Sequence, residues 1–189
     1  MWRFMLCVAL IPLSEAALAE DFDYSFVQAS YGQIDFDDLD VDGDALGISG
    51  SFAINDSFHI FGGYETGDLD FGIDVNTFEA GLGFNTPLTD TVDLVAGLSY
   101  ITTEVEVSGF GSADDDGYGL DAGLRAMVSP VVELNGGISY VDFGDGGDDT
   151  AFGAGFRYYF SDAFSVGLSG SWGDDTSTYG VGGRYSFGQ

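Results

Sequence analysis

The chain has 189 residues, with 32 acidic side chains against four Lys or Arg and a net charge of −28, yet 45% of it is hydrophobic. Its 17 Phe and 10 Tyr exclude a disordered acidic tail, because so much aromatic surface can be buried or can coat an apolar phase. The length suits one domain, and the negative field excludes nucleic acid and other polyanions as direct partners.

The N-terminal stretch MWRFMLCVALIPLSEAALAED joins one basic residue, Arg3, to an apolar run from Phe4 to Leu13 and a small-residue ALA that ends at Ala19. That order predicts a secretory signal peptide over residues 1–19, followed by a single domain over 20–189. The run is too short to span a bilayer as a helix. Cys7, the only cysteine, falls inside the signal, so the exported chain has no disulfide to rely on.

From Tyr24 onward the pattern has period two. Segment 24–34 is the first strand. ALGISGSFAI (Ala45–Ile54) sets Leu46, Ile48, Phe52 and Ile54 on one face and Ala45, Gly47, Ser49, Ser51 and Ala53 on the other. Such alternation is that of a strand with one greasy and one small or polar side. Further strands follow at 58–65, 77–85, 92–102, 118–126, 131–141, 150–160, 164–172 and 177–187, or roughly ten strands of about ten residues, the length of a tilted transmembrane strand. Between them, tight turns at 55–57, 86–91, 128–130 and 161–163 alternate with longer acidic stretches at 35–44, 66–74, 103–116, 142–149 and 173–176. Asn, Asp, Ser and Pro supply the turn chemistry. Short turns at one end and long loops at the other predict an all-β, antiparallel up-and-down transmembrane β-barrel, with its short turns periplasmic and its acidic loops extracellular.

The assigned phases then make two further statements. Tyr31, Tyr64, Tyr100, Tyr140 and Trp172 all lie on the apolar face where strands enter the long loops, the place of an aromatic girdle. Glu79, Asp93, Asp121, Arg125, Glu133, Arg157 and Arg184 all lie on the small or polar face, which would be the lumen. A soluble β-sandwich produces the same alternation with its apolar face hidden; the ordered aromatic strand ends argue against it.

The signal peptide, strands such as DGYGLDAGLRA, AFGAGFRYYF and STYGVGGRYSF, and the rhythm of turns and loops resemble the small outer-membrane β-barrel proteins that include OmpA- and OmpX-like domains. The resemblance covers about Asp21 to Phe187. It implies the outer membrane of a Gram-negative envelope as the location. The best-known members have eight strands, the alternative to ten here, and commonly end on an aromatic residue; in this chain Gly188 and Gln189 follow Phe187.

Asp93 and Glu133 lie early in strands that neighbour those of Arg125 and Arg157, so the seven lumen charges are expected to form a salt-bridge network that fills the periplasmic half of the barrel. A charged constriction is the functional alternative. His59, the only histidine, starts a strand just after a short turn and has no Ser or carboxylate grouped with it, so a structural or interfacial role is expected and no catalytic residue is assigned. No cofactor signature is present.

The stretch DDLDVDGD suggests a calcium loop at first sight. Starting from Asp38, however, the position of the closing Glu is Ser49 and the flanks are strands, so an EF-hand is excluded. Only weak calcium or magnesium binding at Asp38, Asp40, Asp42 and Asp44 is left, of the kind that would bridge to lipopolysaccharide phosphates. The sequence therefore points to a monomeric, non-enzymatic outer-membrane barrel that acts through acidic surface loops, in adhesion, envelope integrity or surface interaction. Its partners would be outer-membrane lipid and lipopolysaccharide. The alternatives are a narrow cation-preferring pore and, further off, an enzyme acting on lipid or peptide.

Overall fold

The computed structural model describes residues 22–36, 41–174 and 176–187; the proposed signal peptide lies outside them. Ten antiparallel strands run β1 (Phe26–Phe36), β2 (Val41–Ala53), β3 (Phe58–Leu69), β4 (Ile73–Thr89), β5 (Val92–Val107), β6 (Gly111–Ser129), β7 (Val132–Asp142), β8 (Asp148–Tyr159), β9 (Phe164–Trp172) and β10 (Thr176–Ser186). Each strand pairs with its sequence neighbours. β10 returns to β1 in register from Phe26 opposite Ser186 to Phe36 opposite Thr176, which closes the barrel. Closure removes both sheet edges, and it leaves no second sheet of the kind a sandwich requires.

Through the middle of the barrel the outside is apolar. Leu46, Ile48, Phe78, Leu82, Leu98, Leu120 and Leu168 are all roughly half or more exposed, and a contiguous belt of this kind is foreign to a water-facing surface. Small residues face inward and allow the larger lumen groups to fit. A Cβ on Gly83 would collide with the His59 ring, and one on Gly97 with the Asp121 carboxylate.

Two of the acidic stretches are much shorter as loops than expected. The β3–β4 connection is reduced to Asp70–Gly72 and the β5–β6 connection to Ser108–Phe110. Asp42, Asp44, Asp68, Asp74, Glu104, Glu106 and Asp114–Asp116 belong to strands instead. Asp42 pairs in register with Asp35, and Glu104 with Asp114. The physical reason is that period two continues past the girdle with its chemistry reversed. Below the girdle, apolar side chains point out and polar ones in. Above it, Asp35, Asp42, Asp44, Asp68, Asp74, Glu104 and Glu106 take the outward phase, while Ile34, Phe36, Val41, Ala45, Leu69, Ile73 and Val75 point inward and form a buried cluster with Val105 and Val107 packed against it; Asp149 is an exception, buried on the inner face. This upper section is built like a water-soluble barrel. β5 and β6 run seven residues beyond Tyr100 and Tyr118, and at about 3.3 Å per residue this makes a ribbon standing roughly 20 Å above the girdle.

Two details of the tips are functional in character. Phe71 adopts a positive φ of 64°, an uncommon conformation for a bulky residue, and is 80% exposed; Phe110 is 91% exposed. The two hairpins are tied together beneath these rings, where the Ser108 amide donates to the Gly72 carbonyl at 2.9 Å.

Candidate functional site

Two zones concentrate functional chemistry: a polar cluster in the periplasmic end of the lumen and the acidic rim. In the first zone, sheet register brings the inward positions to one height. Arg125 lies across from Asp93 and Asn135, Glu133 across from Arg157, and Arg184 across from Gln28 and Ser165. Arg125 Nε donates to Glu133 Oε1 at 2.9 Å and its Nη2 to Oε2 at 3.1 Å, and both side chains are fully buried. This bidentate fork satisfies a carboxylate that would otherwise be stranded without water. Tyr159 donates its hydroxyl to Glu133 Oε2 at 2.5 Å.

The segment leading into β1, with the first residue of that strand, contributes an inward aromatic series. Tyr24 donates to Asp93 Oδ2 at 2.8 Å and stacks on the His59 ring at 4.8 Å between centroids. Phe22 and Tyr24 lie 4.6 and 4.8 Å from the Arg125 guanidinium carbon, and Phe26 lies 3.5 Å from that of Arg184. These are cation–π distances, in a setting where water competes weakly. Arginine, carboxylate and aromatic groups meet in this end of the lumen.

The expected salt-bridge network is corrected in extent. Of the seven charges, Arg125 and Glu133 form an ion pair. Arg157 faces Glu133 in register but bonds to Ser165 Oγ at 3.0 Å and Gln28 Oε1 at 2.7 Å, while Arg184 bonds to the same Gln28 oxygen through Nε at 3.1 Å and Nη2 at 2.9 Å. The diagonal reach of Arg125 has claimed Glu133. Asp121 and Glu79 lie higher in the lumen, outside this cluster. Asp121 lines a small cavity that also meets His59, Gln28 and Arg184. His59 itself is 2% exposed, with Nδ1 3.2 Å from Asn85 Oδ1. It is a lumen packing residue rather than an interfacial one. Sequence reasoning missed Tyr24, Gln28 and Tyr159; their inward phase was readable, but their partners on distant strands were not.

At the rim, all five residues expected in the girdle point outward, between 37 and 48% exposed. Tyr31 donates to Asp44 Oδ1 at 2.6 Å, Tyr64 to Asn76 Oδ1 at 2.9 Å, and Trp172 Nε1 to the Tyr179 hydroxyl at 3.1 Å. Tyr100 meets Tyr118 edge-on at 5.8 Å, and Tyr140 completes the set. Each aromatic body would lie in lipid with its polar tip turned toward water. Of the four aspartates considered for a cation, Asp38 and Asp40 lie outside the described residues. Asp42 and Asp44 stand on the outer face of β2, and no group of three or more potential metal ligands occurs among the described residues. Above the girdle, Asp74 is raised from the ordinary carboxylate range by its hydrogen bond to Asp68, with the nearby Glu106 charge adding to the effect.

The outer-membrane protein β-barrel domain family matches residues 4–160. The chain belongs to this family. It is an outer-membrane barrel, and its location is the outer membrane of a Gram-negative cell. No curated protein matches the chain in sequence. Among solved structures, the translocator domain of autotransporter NalP from Neisseria meningitidis has a TM-score of 0.51 at 12% identity, with 90% of this chain and 91% of that one covered. The KdgM porin in complex with disordered oligogalacturonate gives 0.46 at 14% identity over 86% and 99%. Neisserial surface protein A gives 0.44 at 18% over 87% and 96%. At 12% identity, what the outer-membrane barrel shares with the NalP translocator domain is its fold.

Proposed function

We propose that this outer-membrane barrel is a monomeric, non-enzymatic surface protein whose lumen is sealed and whose activity resides in its acidic hairpins. The observation that carries the reading is the buried Arg125–Glu133–Tyr159 group with Tyr24 beneath it, which occupies the space an aqueous path would need. A narrow cation-preferring pore, the second reading, requires that group to separate. His59, the catalytic candidate that the sequence offers, is buried and stacked under Tyr24.

The hairpins have the chemistry of a cation-bridged contact. Asp35, Asp44, Asp68, Asp74, Glu104 and Glu106 face outward above the girdle, and lipopolysaccharide phosphates are the anionic groups such a rim would meet. Hard divalent cations favour carboxylate oxygens and can join the two anionic surfaces without a dedicated cage. Phe71 and Phe110, at the tips above this charge, suit adhesion to an outside surface. In vesicles containing lipopolysaccharide, calcium is expected to bind the purified barrel. Changing Asp68, Asp70, Asp74, Glu104 and Glu106 to their amides should weaken that binding about tenfold, or 1.4 kcal/mol, as read by calorimetry. Equal calcium affinity in both proteins would remove the rim from the proposal.

A further inference from the structure

The lumen holds three buried guanidinium groups with unequal partners. Arg125 has Glu133. Arg157 and Arg184, 1% and 3% exposed, share one neutral acceptor, Gln28 Oε1. The carboxylates near them are engaged elsewhere: Glu133 by Arg125 and Tyr159, and Asp93 by the Tyr24 hydroxyl, while Asp23 at the mouth accepts the Ser25 amide at 2.7 Å. Arg184 Nη1 and Arg157 Nε are buried nitrogens with no hydrogen-bond acceptor. Two cations side by side, each desolvated and without a counterion, are an expensive arrangement. Arg184 and Gln28 also line a lumen cavity of about 20 Å³, together with Phe26, Ser49, His59 and Asp121. That is room for a single small ion or water and too little for an organic anion.

We propose that this cavity binds one chloride-sized anion, held by Arg184 Nη1 and within the field of Arg157. The anion supplies the missing acceptor and offsets one of the two unpaired charges. Asp121 lines the same cavity and forms no ion pair with Arg184. The site is independent of the hairpins, so its loss and the failure of the surface role are separately visible.

The test compares chloride with gluconate, which is too large for the cavity, at fixed ionic strength during urea unfolding of the lipid-refolded protein. The folding equilibrium constant should rise about tenfold for each tenfold increase of chloride above its dissociation constant, and Arg184→Met should abolish the difference between the anions. If that variant does not fold, wild-type crystals grown from protein refolded in bromide decide the matter. Anomalous scattering should place one bromide within hydrogen-bond distance of Arg184 Nη1. A water or the Asp121 carboxylate at that place would overturn the proposal, as would equal wild-type stability in chloride and gluconate.

Discussion

Arg125→Leu should cost the barrel about 3–5 kcal/mol, the range for breaking a buried ion pair by removing one partner. Most of the loss comes from what is left behind. Glu133 is fully buried and would keep only the Tyr159 hydroxyl, and Phe22 and Tyr24 would face an aliphatic chain in place of a cation. Restoring electrical balance should therefore restore stability: the double variant Arg125→Leu, Glu133→Leu should recover most of it, because a well-packed apolar pair often replaces a buried ion pair at little cost. Asp114→Asn, on the outer face of the β5–β6 ribbon, should lie within about 0.5 kcal/mol of wild type. Urea unfolding in lipid, monitored by the gel mobility of folded and unfolded forms, reads all three. A double variant no more stable than Arg125→Leu would mean that the pair does not hold this end of the barrel together.

Leu98→Arg carries the second large effect. Leu98 lies in the middle of β5, is 55% exposed and has Leu82 and Leu120 opposite it on the neighbouring strands. On a water-facing surface, arginine at such a position is close to neutral. In lipid the guanidinium enters hydrocarbon near the midplane, and the cost is about 2–4 kcal/mol. The same substitution higher on the same face, at Thr102, should be tolerated because that position lies beyond Tyr100. The difference between the two sites measures where the membrane ends; equal effects would contradict the inversion of outward chemistry at the girdle.

That inversion also explains which parts of the molecule were legible in the sequence. Phase along each strand was legible, because alternation of Leu46, Ile48 and Phe52 with Ser49 and Ser51 has only one arrangement around lipid. The outward aromatics and the inward charges followed from phase alone; the strand number came from the rhythm of turns and loops, as about ten with eight as the alternative, and the barrel has ten. Strand ends were harder to read. DDLDVDGD suggests a loop because aspartate is common in loops and rare in strands. Yet Asp42 and Asp44 alternate with Val41, Gly43 and Ala45, and continue β2 into water with the acids outside and a small core within. Alternation therefore outweighed composition as a guide to where β2 begins. The lumen partners were hidden for a different reason. Register set Arg157 beside Glu133, but the choice of Glu133 by Arg125, and of Gln28 by Arg157 and Arg184, depends on side chains crossing the barrel from strands far apart in sequence.

The sealed lumen is the claim on which the functional reading stands. Purified, heat-modifiable protein inserted into planar bilayers at high salt tests it directly. The Arg125–Glu133–Tyr159 cluster predicts a membrane that stays at baseline current after insertion, with no discrete steps. Reproducible single-channel steps from the folded protein would show a continuous path through the barrel and contradict the account.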